Sequence, residues 1–130
     1  MNAQFALLFW ALVLLEIKHF ICDFVIQTGY QVRKKAIYGH PGGLLHAGLH
    51  GIASLPAILL LTASPLLISA IVVGEFVVHY HVDWLKSAIT RLRGLSFDDL
   101  LYWVFFGADQ FLHQATYIVI LAVLVRAAAS

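Results

Sequence analysis

Four long apolar stretches, separated by short polar interruptions, dominate the chain. They run from about Ala3 to Ile26, Leu44 to Thr62, Leu66 to about Ser87 and Phe97 to about Val125. Each approaches or exceeds the roughly 20 residues that a helix needs to cross a hydrocarbon core about 30 Å thick. Barrel strands would alternate polar and apolar residues over about ten positions, and these runs stay apolar for far longer. The pattern predicts an all-α membrane protein with four transmembrane helices in one bundle, built as two hairpins over residues 3–63 and 65–126. Helix punctuation agrees: Pro41-Gly42-Gly43 leads into the second span and Ala63-Ser64-Pro65 divides it from the third. Ser96, followed three residues later by Asp99, predicts a capping box that opens the fourth span. Asp98 and Asp99 then read as helix-start residues, not as chemistry.

Composition narrows the class. Hydrophobic residues make up 62% of the chain and charged residues 12%, against roughly 45–50% and 25% in ordinary globular proteins, which excludes the usual soluble enzyme. A net charge of +1 gives no basis for a nucleic-acid partner. Cys22 is the single cysteine, so paired-thiol chemistry is excluded and the residue reads as a small buried hydrophobe. Met1 to Leu15 carries no positive charge, so the first span is expected to be retained and not cleaved as a signal peptide. Basic residues gather after span one, at Arg33-Lys34-Lys35, and after span three, at Lys86, Arg91 and Arg93, with Arg126 alone near the far end. The positive-inside rule places both loops in the cytoplasm and both termini outside, and these charges read as topology signals.

Ionisable side chains inside the spans change the picture. Each costs at least about 2.5–3.5 kcal/mol to insert, so such residues are few and mostly functional. Glu16, His19, Asp23 and Gln27 lie in span one, His46 and His50 in span two, Glu75, His79, Asp83 and Lys86 in span three, and Asp109, Gln110, His113 and Gln114 in span four. His19/Asp23, His46/His50, His79/Asp83 and Asp109/His113 are all i, i+4 pairs, so each pair shares one helix face. At 1.5 Å per residue from the external ends, His19, His50, His79 and His113 lie about 20–24 Å deep and their partners about 26–30 Å deep. All four pairs occupy one layer, toward the basic side of the core, and a four-helix bundle can aim them at a common axis. His81 lies about 200° round the helix from His79 and points away.

The first and third spans also read alike. His19-Phe20-Ile21-Cys22-Asp23-Phe24 matches His79-Tyr80-His81-Val82-Asp83-Trp84 at an offset of 60, and His46/His50 match Asp109/His113 at an offset of 63. This predicts two parallel hairpins related by a pseudo-two-fold axis along the membrane normal. In its motifs His19-x-x-x-Asp23-Phe24-x-x-Gln27, His46-x-x-x-His50, His79-x-x-x-Asp83 with Lys86, and Asp109-Gln110-x-x-His113, the chain resembles a bacterial family of small polytopic inner-membrane proteins that carry a domain of unknown function. The resemblance spans nearly the whole chain and implies the cytoplasmic membrane, without implying a reaction. More loosely, it is similar to bacterial membrane-bound metal-dependent hydrolases, although motif order and spacing differ.

Imidazole and carboxylate are the ligands of Zn²⁺, Mn and non-haem Fe, and His19, Asp23, His46, His50, His79, Asp83, Asp109 and His113 are the candidate ligands, enough for one ion with further side chains around it or for two ions that share carboxylates. Zinc is the first choice in a sulfur-free, His-rich site. Bis-histidine haem needs no carboxylate beside each His and would leave Asp23, Asp83 and Asp109 charged beside a porphyrin. With a metal, hydrolysis leads: a neighbouring Asp23, Asp83 or Asp109 can take a proton from metal-activated water. The depth of the layer admits an amphipathic, phosphorylated substrate from the bilayer. Gly39-His40-Pro41-Gly42-Gly43 offers either a turn into span two or amides for a phosphate. The same His/Asp layer also suits a proton or divalent-cation carrier, or a structural staple in a membrane interaction protein, and an oligomer stays open. Trp84, Tyr102 and Trp103 suit an interfacial aromatic belt, and Gly48, Gly51 and Gly107 suit close helix packing.

Overall fold

In a computed structural model, which describes residues 2–129, the chain is an all-helical bundle with no strand among the described residues. The elements are α1 (Ala3–Phe20), a π-helical turn (Ile21–Val25), α2 (Gly29–Lys34), α3 (Pro41–Ala53), α4 (Leu55–Leu59), α5 (Pro65–Leu92) and α6 (Leu100–Ala128). Four segments are long and apolar enough to cross a membrane: Ala3–Val25, Pro41–Leu59, Pro65–Leu92 and Leu100–Ala128. These are the four expected spans. At 28 and 29 residues, α5 and α6 are about 42–44 Å long, so they tilt or project beyond a core of about 30 Å.

Several boundaries move. The π-helical turn follows α1 directly, with the Ile26 N–H donating to the Ile21 carbonyl five residues back. The second span starts at Pro41 and breaks at Ser54, because Pro56 has no N–H to give to the carbonyl of Ile52. At the break the Ser54 hydroxyl joins its own N–H in donating to the His50 carbonyl, at 3.2 Å each. The third span continues as helix to Leu92. The fourth helix begins at Leu100 with Asp99 as its N-cap residue, one turn later than the predicted capping box. Ser96 does bond Asp99, through its N–H at 2.7 Å and its hydroxyl at 3.1 Å, but these bonds close the turn that precedes the helix. Between the first two spans, α2 forms as an extra helix, opened by a reciprocal capping box between Thr28 and Gln31.

The bundle has two unlike halves. Ala11 and Leu15 of α1, Ala57 and Ile58 of α4, Ile71 of α5 and Tyr117, Ile120 and Leu124 of α6 form an apolar core in the half that holds the chain termini. The half beside α2 is filled with histidine and carboxylate. Large apolar side chains such as Trp10, Val73, Phe111 and Ile118 face outward, the arrangement expected when lipid replaces water. Gly51 lets α3 approach α5 closely: a Cβ there would stand 3.1 Å from the Val72 carbonyl oxygen. Gly48 and Gly107, expected to do the same, face open space.

Candidate metal centre

His19 and Asp23 reach the bundle axis from α1 and its π-helical extension, His46 and His50 from α3, His79 and Asp83 from α5, and Asp109 and His113 from α6. Seven of the eight are buried, and Asp23 is nearly so, with its side chain 8% exposed. The i, i+4 spacing keeps each pair on one face, and packing turns the four faces toward each other.

Five imidazole Nε2 atoms converge on two carboxylates. Asp23 Oδ1 lies 3.0 Å from His46 Nε2 and 3.2 Å from His50 Nε2, and its Oδ2 lies 3.3 Å from His19 Nε2. Asp83 Oδ2 lies 3.0 Å from His46 Nε2 and 3.6 Å from His79 Nε2, and its Oδ1 lies 3.6 Å from His113 Nε2. His113 Nε2 also stands 3.4 Å from Asp109 Oδ1, and His79 Nε2 lies 3.3 Å from His46 Nε2. The His50, His79 and His113 rings form a stack, with centroids 3.7 and 4.1 Å apart.

These separations fit a metal. Four ligand atoms held 2.0–2.1 Å from a tetrahedral ion stand about 3.3–3.4 Å from one another, and the Nε2–oxygen distances run from 3.0 to 3.6 Å. Two groups have ligand atoms that all lie within 4.8 Å of one another: Asp23, His46, His50 and His79, and His79, Asp83 and His113. His19 and Asp109 flank these groups, each beside one of their members. Asp109 Oδ1 and His113 Nε2 are buried without a hydrogen bond, their contact with each other being an ion pair at 3.4 Å, and an ion would satisfy such atoms. The described chain is thus a membrane-spanning helical protein with His/Asp groups that could hold a metal ion.

Side chains that sequence reading did not assign to the site support it from both ends. On the side of the apolar core, Lys18 pairs with Glu75 and its Nζ lies 3.3 Å from the His50 carbonyl oxygen and 3.4 Å from His50 Nδ1. The Tyr117 hydroxyl bonds His19 Nδ1 at 2.9 Å. Lys18 is a countable charge one residue before His19, and Tyr117 lies four residues after His113 on the same face; both signals are present in the sequence. On the opposite side, Lys35 and Lys86 do more than set topology. Lys35 Nζ lies 3.2 and 3.3 Å from the two Asp83 oxygens, and Lys86 Nζ lies 4.0 Å from Asp109 Oδ2. Burial works to lower the Lys35 pKa, but Asp83, Asp23 and Asp109 outweigh it and hold the ammonium above its ordinary value.

A mouth of about 240 Å³ opens beside these lysines, lined by Asp23, Phe24, Gln27, Val32, Lys35, Lys86, Tyr102, Phe106, Asp109 and Gln110. The glycine-rich stretch is a turn: His40 Nδ1 accepts the Gly42 N–H at 3.1 Å and the His40 carbonyl accepts those of Gly43 and Leu44, so these amides are already capped. His81 stays outside the cluster, bonded to Tyr38 at 3.2 Å, and Cys22 is buried.

Residues 11–130 match the family described as Protein of unknown function (DUF3307), and the chain belongs to it. No curated protein and no solved structure matches the chain.

Proposed function

For this member of the DUF3307 family we propose a divalent-metal-dependent hydrolase of the bacterial cytoplasmic membrane, with zinc as the first-choice ion and an amphipathic, phosphorylated ester as substrate. The observation that carries it is the convergence of five imidazole Nε2 atoms on Asp23 and Asp83 at separations suited to metal ligands. A bound divalent ion supplies Lewis acidity and lowers the pKa of its water to about 7. Asp109, whose Oδ1 stands 3.4 Å from His113 Nε2, would serve as the general base.

Charge supports an anionic substrate. Asp23, Asp83 and Asp109 against Lys35 and Lys86 leave one negative charge, so a divalent ion turns the site positive and a phosphoryl group restores balance. The mouth presents Lys35 and Lys86 for that group and Phe24, Tyr102 and Phe106 for its hydrocarbon. With the basic loops in the cytoplasm and both termini outside, the mouth lies at the cytoplasmic headgroups.

Protein purified in detergent without added metal, and its His50→Ala and His113→Ala variants, should be analysed for metal and assayed on a panel of lipid phosphates. Wild-type protein should carry metal and hydrolyse a panel member, and each variant should lose the activity together with metal from the ligand group it breaks. Metal-free, inert wild type would end this reading. One observation favours a second one: Lys18 and Glu75 continue the polar chain beyond the cluster, and Glu75 Oε2 is buried without a partner. That is the order of groups a proton or divalent-cation carrier needs, although the apolar core lies next along the path. Cation flux into liposomes by inert protein would select it.

A further inference from the structure

We propose that the cluster holds two divalent ions, one per hairpin, with Asp23, His46 and His50 binding the first and His79, Asp83 and His113 the second. This rests on the metal reading above and concerns how many ions that reading requires.

The first argument is donor capacity. His79 belongs to both ligand groups, but its Nε2 has one lone pair and binds one ion. An ion that takes Asp23, His46, His50 and His79 has the four ligands of a closed tetrahedral site. It leaves His113 Nε2 without an ion, buried without a hydrogen bond and with the Asp109 carboxylate 3.4 Å away. No single tetrahedral ion satisfies both ends of the cluster. Assigning His79 to the second ion gives each ion three ligands and an open position, the coordination of catalytic and not of structural zinc.

The second argument is correspondence. The offsets of 60 and 63 that align the hairpins carry Asp23 onto Asp83 and His50 onto His113. In space, His50 Nε2 lies 3.2 Å from Asp23 and His113 Nε2 lies 3.6 Å from Asp83. The same offsets carry His46 onto Asp109 and His19 onto His79, so the two sets share an Asp and a His and differ in the third ligand, with Asp109 standing outside the second set and His19 outside the first. Between the sets, Asp83 Oδ2 reaches His46 at 3.0 Å while its Oδ1 faces His113. One carboxylate therefore stands between a ligand assigned to the first ion and one assigned to the second.

The test is stoichiometry. Wild-type protein in detergent, stripped with chelator and titrated with Co²⁺, should saturate at two equivalents in its visible absorption. Elemental analysis after gel filtration should return two ions per chain. His50→Ala should bind one, His113→Ala should bind one, and the double variant none. Saturation of the wild type at one equivalent overturns the proposal and leaves the metal reading intact, whereas no binding at all removes both. Should the alanine variants fail to fold by circular dichroism, the wild-type titration alone decides between one and two.

Discussion

Breaking the Lys18–Glu75 pair from one side should destabilise the bundle far more than deleting it whole. Lys18 is 6% exposed and Glu75 2%, so neither charge reaches water when its partner is gone. Losing one partner of such a pair costs about 3–5 kcal/mol, or about 10²- to 10³·⁵-fold in the folding equilibrium. Replacing both by apolar residues of similar size is often neutral or stabilising. Glu75→Leu and Lys18→Met should each show the full loss, and Glu75→Leu/Lys18→Met should lie within about 1 kcal/mol of wild type, giving a coupling of at least about 5 kcal/mol. Reversible unfolding in mixed micelles of a mild detergent and dodecyl sulfate measures all four corners of the cycle. The folded double variant should also bind metal about 10–100-fold more weakly, because Lys18 Nζ stands 3.3 Å from the His50 carbonyl oxygen and helps to orient that ligand. Single losses that simply add in the double variant would refute the pairing.

Lys34→Cys should react with a membrane-impermeant thiol reagent only from the cytoplasmic side; labelling from outside alone would invert the topology. Gly51→Ala should destabilise the bundle by about 1–3 kcal/mol, since its methyl would press on the Val72 carbonyl oxygen at 3.1 Å. Gly48→Ala, with open space around it, should be neutral or slightly stabilising, and thermal inactivation of the pair measures the contrast. Tyr117→Phe removes the partner of His19 Nδ1 but little volume. Competition with a chelator should show metal affinity reduced by about tenfold or more if His19 orients the ligands around Asp23.

The four spans and the eight-residue cluster were legible because insertion cost leaves few polar residues in a bilayer, and i, i+4 spacing says which of them share a face. What could not be read was anything decided between helices. Lys35 stands in a basic run that looks like a topology signal, and only the fold of α2 carries it to Asp83. The π-helical turn that carries Asp23 has no breaker residue: Ile21-Cys22-Asp23-Phe24-Val25 is ordinary helical sequence. Asp23 within it pairs with His19, His46 and His50, contacts that no local sequence signal shows. The break at Ser54 was not read, the second span being expected to run unbroken from Leu44 to Thr62, although Pro56 carries the signal: a proline inside an apolar run removes one helical hydrogen bond.

Lys35 gives the sharpest separation between a lysine that supports the fold and one that serves a substrate. Its ammonium sits where a cation on Asp83 would compete with it, 3.2 Å from Oδ2. In Lys35→Met the Asp83 carboxylate loses its neutralising partner and becomes a better metal ligand, so affinity for a divalent ion should rise. If Lys35 also meets the phosphoryl group at the mouth, the same variant loses one charge-assisted hydrogen bond to substrate, worth about 1.5–3 kcal/mol. KM for a phosphorylated amphipath should then increase by about 10–100-fold. kcat should change little, because the interaction is made equally in the ground and transition states. Lys86→Met should behave alike but more weakly, since its Nζ stands 4.0 Å from Asp109 and also lies 5.1 Å from the Phe106 ring centroid. Isothermal titration with metal and a separate kinetic series in substrate read the two effects independently. Tighter metal with an unchanged KM would retain the competition at Asp83 and remove the lysine from substrate recognition. Weaker metal would mean that Lys35 holds Asp83 in place, against the electrostatic reasoning.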